Sequence, residues 1–494
     1  MKIPIFVLIP FTIMTVSAFR QATPVAMTYL YVNVPMALFY LFWLKNPWAI
    51  IAFLLFSGYA VYQVMTIRSE DYNFRFTWSE ILKILGLCII LVVVSGVSGV
   101  GGASTFDTDL HLQKVFDLSH TDLPVYYQNA AAYASYYYGF YIVPGLLVNF
   151  VGNVTPVLFL WELGGMFIGL SWLYMLLKRN FFHLVLLFLV SGLLSFLVPL
   201  FNLENILFSP YFYFLDTRWN LLPMYLSLRW VPNQFIYTII LTGVVLYLKP
   251  HDLLKASTLL ISGLFWAPFS ALTIGIIFLV RAWPVLIKKK LPSLSAFLLT
   301  NAFLALFIIL YLLANQTSDA LEFTLTGSAR ILNYLSLACF EILIFYILTE
   351  PRYRQKTELK VTLVILLLLP LIKLGVGNDL FSRASLPLLL VLYIYFIKSF
   401  SYKTGKRPYR IAVMLLVSLL PLKYIGDNVR KFSTEPFYIP SASVDTYDLL
   451  KKNYQSKKIA DQYLMNQDSF FYKFLLAKSP VKSSPSSSQA ASSM

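Results

Sequence analysis

The chain has 494 residues, 58% of them hydrophobic and only 13% charged, with a formal net charge of +16. Apolar runs of roughly 17 to 25 residues recur along it, the length a helix needs to cross a bilayer, so the composition excludes a soluble enzyme and predicts an all-α polytopic membrane protein. The positive excess does not point to nucleic acid, because basic residues of membrane proteins gather in the loops that stay cytoplasmic.

Met1 to Ala18 carries one lysine and two prolines in an apolar stretch that resumes soon after Arg20, and it reads as an uncleaved first helix. Spans are predicted at about 3–19, 24–43, 47–66 and 81–99, followed by a polar segment from Gly101 to about Tyr138. Further spans are predicted at about 157–177, 181–200, 233–248, 293–313, 331–349, 360–376, 385–400 and 411–424. Tyr136 to Phe150 is too short to cross and is tyrosine-rich, which predicts a helix at the membrane surface. Ala256 to Val280 has Pro268 at its centre and predicts two short half-helices that enter and leave on the same side. Cys88 and Cys339 both fall in apolar runs, so no disulfide framework or zinc cluster can be built from them.

With these choices the larger share of the 39 Lys and Arg falls in loops on one side, including Arg68, Arg75, Lys178, Arg179, Lys249, Lys255, Arg281, Arg352, Lys356 and Lys398. The motifs able to do chemistry fall on the other side, the outer face. The chain divides into N-terminal spans at 1–80, a transmembrane core at 81–424 with a large outer loop at 100–156, a small outer C-terminal region at 425–478, and a Ser-rich disordered tail at 479–494.

Phe106 to Ser119 (FDTDLHLQKVFDLS) places three aspartates and a histidine directly after an apolar span. Carboxylates beside lipid are costly without partners, so this segment is the first candidate for a polar site. In an extended stretch Asp107 and Asp109 point the same way and can share a divalent cation (Mg or Mn); on a helix Asp107 and His111 share a face. Either carboxylate can act as general base toward a hydroxyl. In GNDLFSRAS, Arg383 can hold a phosphate bidentately, and Asn378 and Asp379 can orient it or cap the next helix. Arg218 and Arg229 compete for the same phosphate role, in an aromatic setting typical of an interface. Glu162 and Glu341 lie within predicted spans, where structural pairing inside the bundle is the expected role. No nucleotide-binding glycine loop is present, so the motifs favour a substrate delivered in the membrane.

The ordered series FDTDLHLQKVFDL, LPVYY, YYYGFYIVPGLL, RWVPNQ, GNDLFSRASLP and SFFYKFL resembles a group of bacterial multispanning proteins aligned with the C-type (GT-C) membrane glycosyltransferases. The resemblance implies a GT-C-like bundle of about 13 spanning helices with surface helices in the first large outer loop. It also implies transfer of a sugar from a polyprenyl-phosphate-linked donor to a glycan, lipid or protein acceptor on the extracytoplasmic face of the bacterial cytoplasmic membrane. Asp107 or Asp109 is then the base or metal ligand, His111 an auxiliary, and Arg383 a phosphate contact. The chain differs from many such proteins in having three predicted spans ahead of the one that leads into the acidic loop. The competing readings are a transporter or flippase of a lipid-linked saccharide, which more often shows paired broken helices in two related halves, and a non-catalytic membrane scaffold.

Overall fold

Local capping decides where the polar segments turn helical. Thr77 and Glu80 close a reciprocal capping box at the start of one helix, with Glu80 Oε2 accepting from Thr77 N at 2.8 Å. Thr105 and Thr108 do the same before Phe106, where Thr108 Oγ1 accepts from Thr105 N at 2.7 Å, so the acidic segment begins as a helix rather than an extended strand. The computed structural model describes residues 16–67, 72, 74–101, 105–193, 224–288, 290–316, 322–323, 328–374, 378–431 and 438–478. The predicted span at 3–19, the second half of that at 181–200, Arg218 and the Ser-rich tail lie wholly or mostly outside these residues.

The described chain is overwhelmingly helical. In order it forms α1 (Val16–Trp43), α2 (Trp48–Thr66), α3 (Trp78–Ser95), α4 (Phe106–His120), α5 (Ile142–Val151), α6 (Val154–Leu176), α7 (Phe181–Leu189), α8 (Met224–Trp230) and α9 (Pro232–Tyr247). It continues as α10 (Ser257–Trp266), α11 (Pro268–Leu286), α12 (Leu291–Leu313), α13 (Ser328–Leu337), a π-helical turn at Ala338–Leu343, α14 (Ile344–Leu348), α15 (Thr357–Leu368), α16 (Asp379–Lys398), α17 (Arg407–Lys431), α18 (Thr446–Tyr454) and α19 (Lys457–Asp461). Strand pairing is confined, among the described residues, to Tyr126–Tyr127 with Ala132–Tyr133, Glu322–Phe323 with Ile372–Lys373, and isolated bridges. Eight of the described helices are long and apolar enough to cross a membrane. The chain is an all-α integral membrane protein.

Polar contacts between distant segments sort into two ends. At the basic end Tyr72 donates to Asp252 at 2.8 Å, Arg179 pairs with Glu80 at 3.2 Å, and Arg410 pairs with Glu350 at 2.5 Å. At the opposite, aromatic end Lys45 N donates to Leu475 O at 2.8 Å, Ser135 N to Tyr463 O at 2.8 Å, and Gln316 N to Leu464 O at 3.0 Å. Between the ends, side chains of α1, α2 and α10 share a buried network: Gln63 donates to Ser257 at 2.8 Å, Thr258 donates to Gln63 at 2.7 Å, and Ser262 donates to Asn33 at 2.7 Å. Hydrogen-bonded polar groups of this kind hold helices together where apolar burial alone gives no preference.

Several expectations meet a different arrangement. The segment around Pro268 does break, and both arms return to the basic end, where Arg281 donates to Leu248 O at 3.2 Å. The second arm, however, is the 19-residue α11 rather than a short half-helix. Pro268 sits at its first position, where a missing N–H costs no hydrogen bond, and no charge interrupts the apolar run before Arg281. The predicted span at 360–376 shortens to the 12-residue α15 because the chain pairs as a strand at Ile372–Lys373. Residues 136–141 are not part of a helix, leaving α5 with ten residues packed between α4 and α6. The boundaries expected at 80 and 424 fall inside α3 and α17. The C-terminal region is not separate: Ala477 N donates to Trp43 O at 2.8 Å and Asn466 N to Ala314 O at 2.7 Å, so it straps the aromatic end to α1 and α12.

Helices α6 and α9 pack closely against each other. A Cβ built at Gly169 would lie 2.4 Å from Ile239 Cγ1, and one at Gly243 2.5 Å from Trp172 Cβ, whereas one at Gly164 meets nothing within 4 Å. Gly169→Val is therefore expected to destabilise the bundle by about 1–3 kcal/mol through overpacking, and Gly164→Val to be near neutral. Thermal unfolding of the two variants in the same detergent checks the contrast.

Candidate functional site

Because 106–120 is helical, its polar residues divide between two faces. Asp107, His111 and Lys114 follow at steps of four and three and form one stripe; Asp109, Gln113 and Asp117 follow at steps of four and form another, offset by about 200°. The second stripe meets the C-terminal region. Asp117 accepts from Gln113 Nε2 at 2.8 Å, from Thr446 N at 2.8 Å and from Thr446 Oγ1 at 2.6 Å. Gln113 accepts from Tyr438 OH at 2.6 Å, and Asp109 lies within electrostatic range of the same tyrosine.

The first stripe faces aromatic rings. Lys114 is buried, with Nζ 4.1 Å from the centre of the Tyr136 ring and 5.4 Å from those of Tyr141 and Tyr463. Its described contacts are ring faces rather than hydrogen-bond acceptors. Burial lowers the Lys114 ammonium to about 7, against the pull of Asp107. Asp107 is half-buried, and burial lifts its carboxyl above the ordinary range despite the nearby Lys114 and Arg383 charges. A carboxylate raised in this way is a stronger base than one in water.

Arg383 reaches this stripe from the start of α16. Asn378, with φ +50°, caps that helix by accepting from Phe381 N at 3.4 Å, and Asp379 pairs with Arg383 at 3.0 Å one turn later. The guanidinium also donates to Tyr137 OH. It lies within electrostatic range of Asp107 and Lys114, so residues far apart in the chain share one location. The wall is completed from the C-terminal region: the Tyr463 ring stacks on Tyr136 at 4.9 Å, and Tyr454 lies in range of Asp107, Asp379 and Arg383.

Other expected site residues take different places. His111 is buried, its Nδ1 accepts from Tyr141 OH at 2.7 Å and its Nε2 donates to Trp230 O at 3.2 Å. Burial and Lys114 push its imidazole down to about 3, so it stays neutral and both nitrogens are occupied; it orders the stripe rather than serving substrate. Arg229 is buried and donates to Asn428, which itself donates to Tyr225 OH at 2.6 Å, so it knots α8 to α17. Arg218 lies outside the described residues. The helix turns Asp107 and Asp109 to different faces, whereas the extended stretch in which the two could share a divalent cation would point them the same way. Lys114 and the tyrosines were not among the expected site residues. The signal for Lys114 was present in the 107–111–114 spacing; nothing local marked the rings of Tyr136 and Tyr463 as its cage.

The arrangement offers one carboxylate of raised basicity, two cations and an aromatic wall, a set that suits a phosphorylated, hydroxyl-bearing substrate. Its charge states make stability depend on pH. Lys114 releases its proton at about 7 in the folded chain but near 10.5 when unfolded, so the unfolded state holds the extra proton and stability rises with pH through that window. Asp117 is displaced in the other sense: pushed from 3.8 up to about 6, it makes stability fall as pH rises between those values. Lys114→Met is expected to flatten the rise above pH 7 and to raise the melting temperature at pH 6; melting curves of both proteins from pH 6 to 9 read the difference. No protein-family model and no curated protein matches this chain.

Proposed function

We propose that the protein is an integral membrane glycosyltransferase that moves a sugar from a polyprenyl-phosphate-linked donor to a hydroxyl of a glycan, lipid or protein. In this reading the chain is a GT-C-like bundle of about 13 spans in a bacterial cytoplasmic membrane. The basic end faces the cytoplasm, as expected for loops rich in Lys and Arg, and the aromatic end faces outward. The observation that carries the reading is the meeting of Asp107, Lys114 and Arg383 at one end of an apolar bundle, beside a wall of tyrosines.

Asp107 takes the proton of the acceptor hydroxyl as its oxygen bonds to the sugar's anomeric carbon. The bond from that carbon to the phosphate oxygen breaks, and its electron pair leaves with the polyprenyl phosphate. That leaving group needs charge neutralisation rather than a strong acid, and Arg383 and Lys114 supply it in a setting that excludes most water. Asp379 holds Arg383 in place from one helical turn away. The tyrosine faces provide flat apolar surfaces for a sugar ring. No step is assigned to a metal ion.

Asp107→Asn is expected to lower transfer by about 10²–10⁴-fold with normal insertion, and Arg383→Gln to weaken binding of polyprenyl phosphate. Both are measured with purified protein, radiolabelled polyprenyl-phosphate sugars extracted from the host membrane and polyprenyl phosphate as the binding probe. Full transfer by Asp107→Asn removes the catalytic assignment. Movement of the intact lipid-linked saccharide across a vesicle membrane without transfer would instead establish the flippase reading, and normal function after replacement of the acidic segment would establish a scaffold.

A further inference from the structure

Three cations at the basic end have a carboxylate: Arg179 has Glu80 at 3.2 Å, Lys255 has Asp252 at 2.6 Å, and Arg410 has Glu350 at 2.5 Å. One group is built differently. Lys178 from the turn after α6, Arg281 from α11 and Lys356 from the residue before α15 converge on Lys398 at the end of α16, all within its electrostatic range. The nearby carboxylate, Glu358, accepts from Tyr395 OH at 2.7 Å. Arg281 donates to the carbonyl oxygens of Val245 and Leu248, which satisfy its N–H groups without neutralising it. Lys398 Nζ lies 5.8 Å from the Tyr395 ring and 6.0 Å from that of Tyr353. Among the described contacts Lys178, Lys356 and Lys398 have no hydrogen-bond acceptor for their ammonium groups.

Like charges gathered by folding repel one another unless an anion joins them. The backbone holds Lys178 there at some cost. Both Lys178 and Arg179 have φ of +58°, and the turn is fixed by hydrogen bonds from Lys178 N to Met175 O at 3.0 Å and from Arg179 N to Tyr174 O at 2.8 Å. Close to these cations in sequence, apolar side chains are exposed: Phe182 on α7, four residues after Lys178, is 66% exposed, and Trp283 and Ile287, just beyond Arg281, are 60% and 61% exposed. A cationic cluster at the end of a spanning helix, adjoining a lipid-facing apolar surface, suits an anion that carries its own hydrocarbon.

We propose that Lys178, Arg281, Lys356 and Lys398 form a binding site for the phosphate headgroup of an anionic phospholipid, whose acyl chains lie along the exposed faces of α7 and α11. The site is at the opposite end of the bundle from Asp107 and does not depend on the catalytic reading. The test uses the full-length protein in a neutral detergent, with phosphatidylglycerol, phosphatidylcholine and inorganic phosphate added separately. Phosphatidylglycerol is expected to raise the melting temperature and to remain bound in native mass spectra, and phosphatidylcholine to do neither. The double variant Lys356→Gln/Lys398→Gln should weaken phosphatidylglycerol binding by at least about tenfold. Its unliganded melting temperature should hold or rise, because repulsion is relieved, and the charge-retaining Lys356→Arg/Lys398→Arg pair should restore binding. Equal binding of the two lipids, or undiminished phosphatidylglycerol binding by the Gln pair, overturns the site. Displacement of the lipid by millimolar inorganic phosphate with the same thermal shift reassigns it to a free anion and overturns the lipid proposal.

Discussion

The buried ammonium of Lys114 is the constraint around which the aromatic end is organised. A charge withdrawn from water needs compensation, and here it comes from ring faces at 4.1–5.4 Å and from Asp107 two helical turns back on the same stripe. Those rings can cage it only if Tyr463 is brought down onto Tyr136, which requires the C-terminal region to close over α4. The closure is secured on the other stripe, where Thr446 offers two donors to Asp117 and Tyr438 one to Gln113. One face of α4 thus fastens the cover that makes the other face dry. His111 adds rigidity by joining Tyr141 to the carbonyl of Trp230.

The two ends of the bundle handle charge by different means. At the basic end, Lys and Arg side chains pair with carboxylates, and Glu80, Asp252 and Glu350 each tie together segments remote in sequence. At the aromatic end, the cations are few and are surrounded by tyrosine hydroxyls and rings, as in the contact of Arg383 with Tyr137. Ion pairs tie segments to one another; aromatic cages let a cation remain available to an incoming anion while excluding most solvent.

Much of the fold was legible along the chain because hydrophobic length and helix capping are local properties. The apolar runs at 47–66 and 293–313 became α2 and α12 with nearly unchanged limits, whereas that at 24–43 lies inside the longer α1, which starts at Val16 and passes helically through the loop expected at Arg20. Pro268 broke its segment for a reason intrinsic to proline, and both arms returned to the end predicted from charge. Where the reading shifted, a non-local contact decided it: pairing of Ile372–Lys373 with Glu322–Phe323 ends α15 early, and strapping by residues 464–477 joins a supposed appendage to the bundle.

The order of residues alone marks a helical membrane protein, the places where its basic loops gather, and Asp107 and Arg383 as chemically notable residues beside apolar spans. Hydropathy, proline stereochemistry and charge need no partner to be read. Folding was needed to part Asp107 from Asp109, to engage both nitrogens of His111, and to place Lys114 in a cage of tyrosines drawn from two distant regions. The turn of a helix sets which neighbours share a face, and burial sets which charges are compensated. Both depend on what the rest of the chain packs against them.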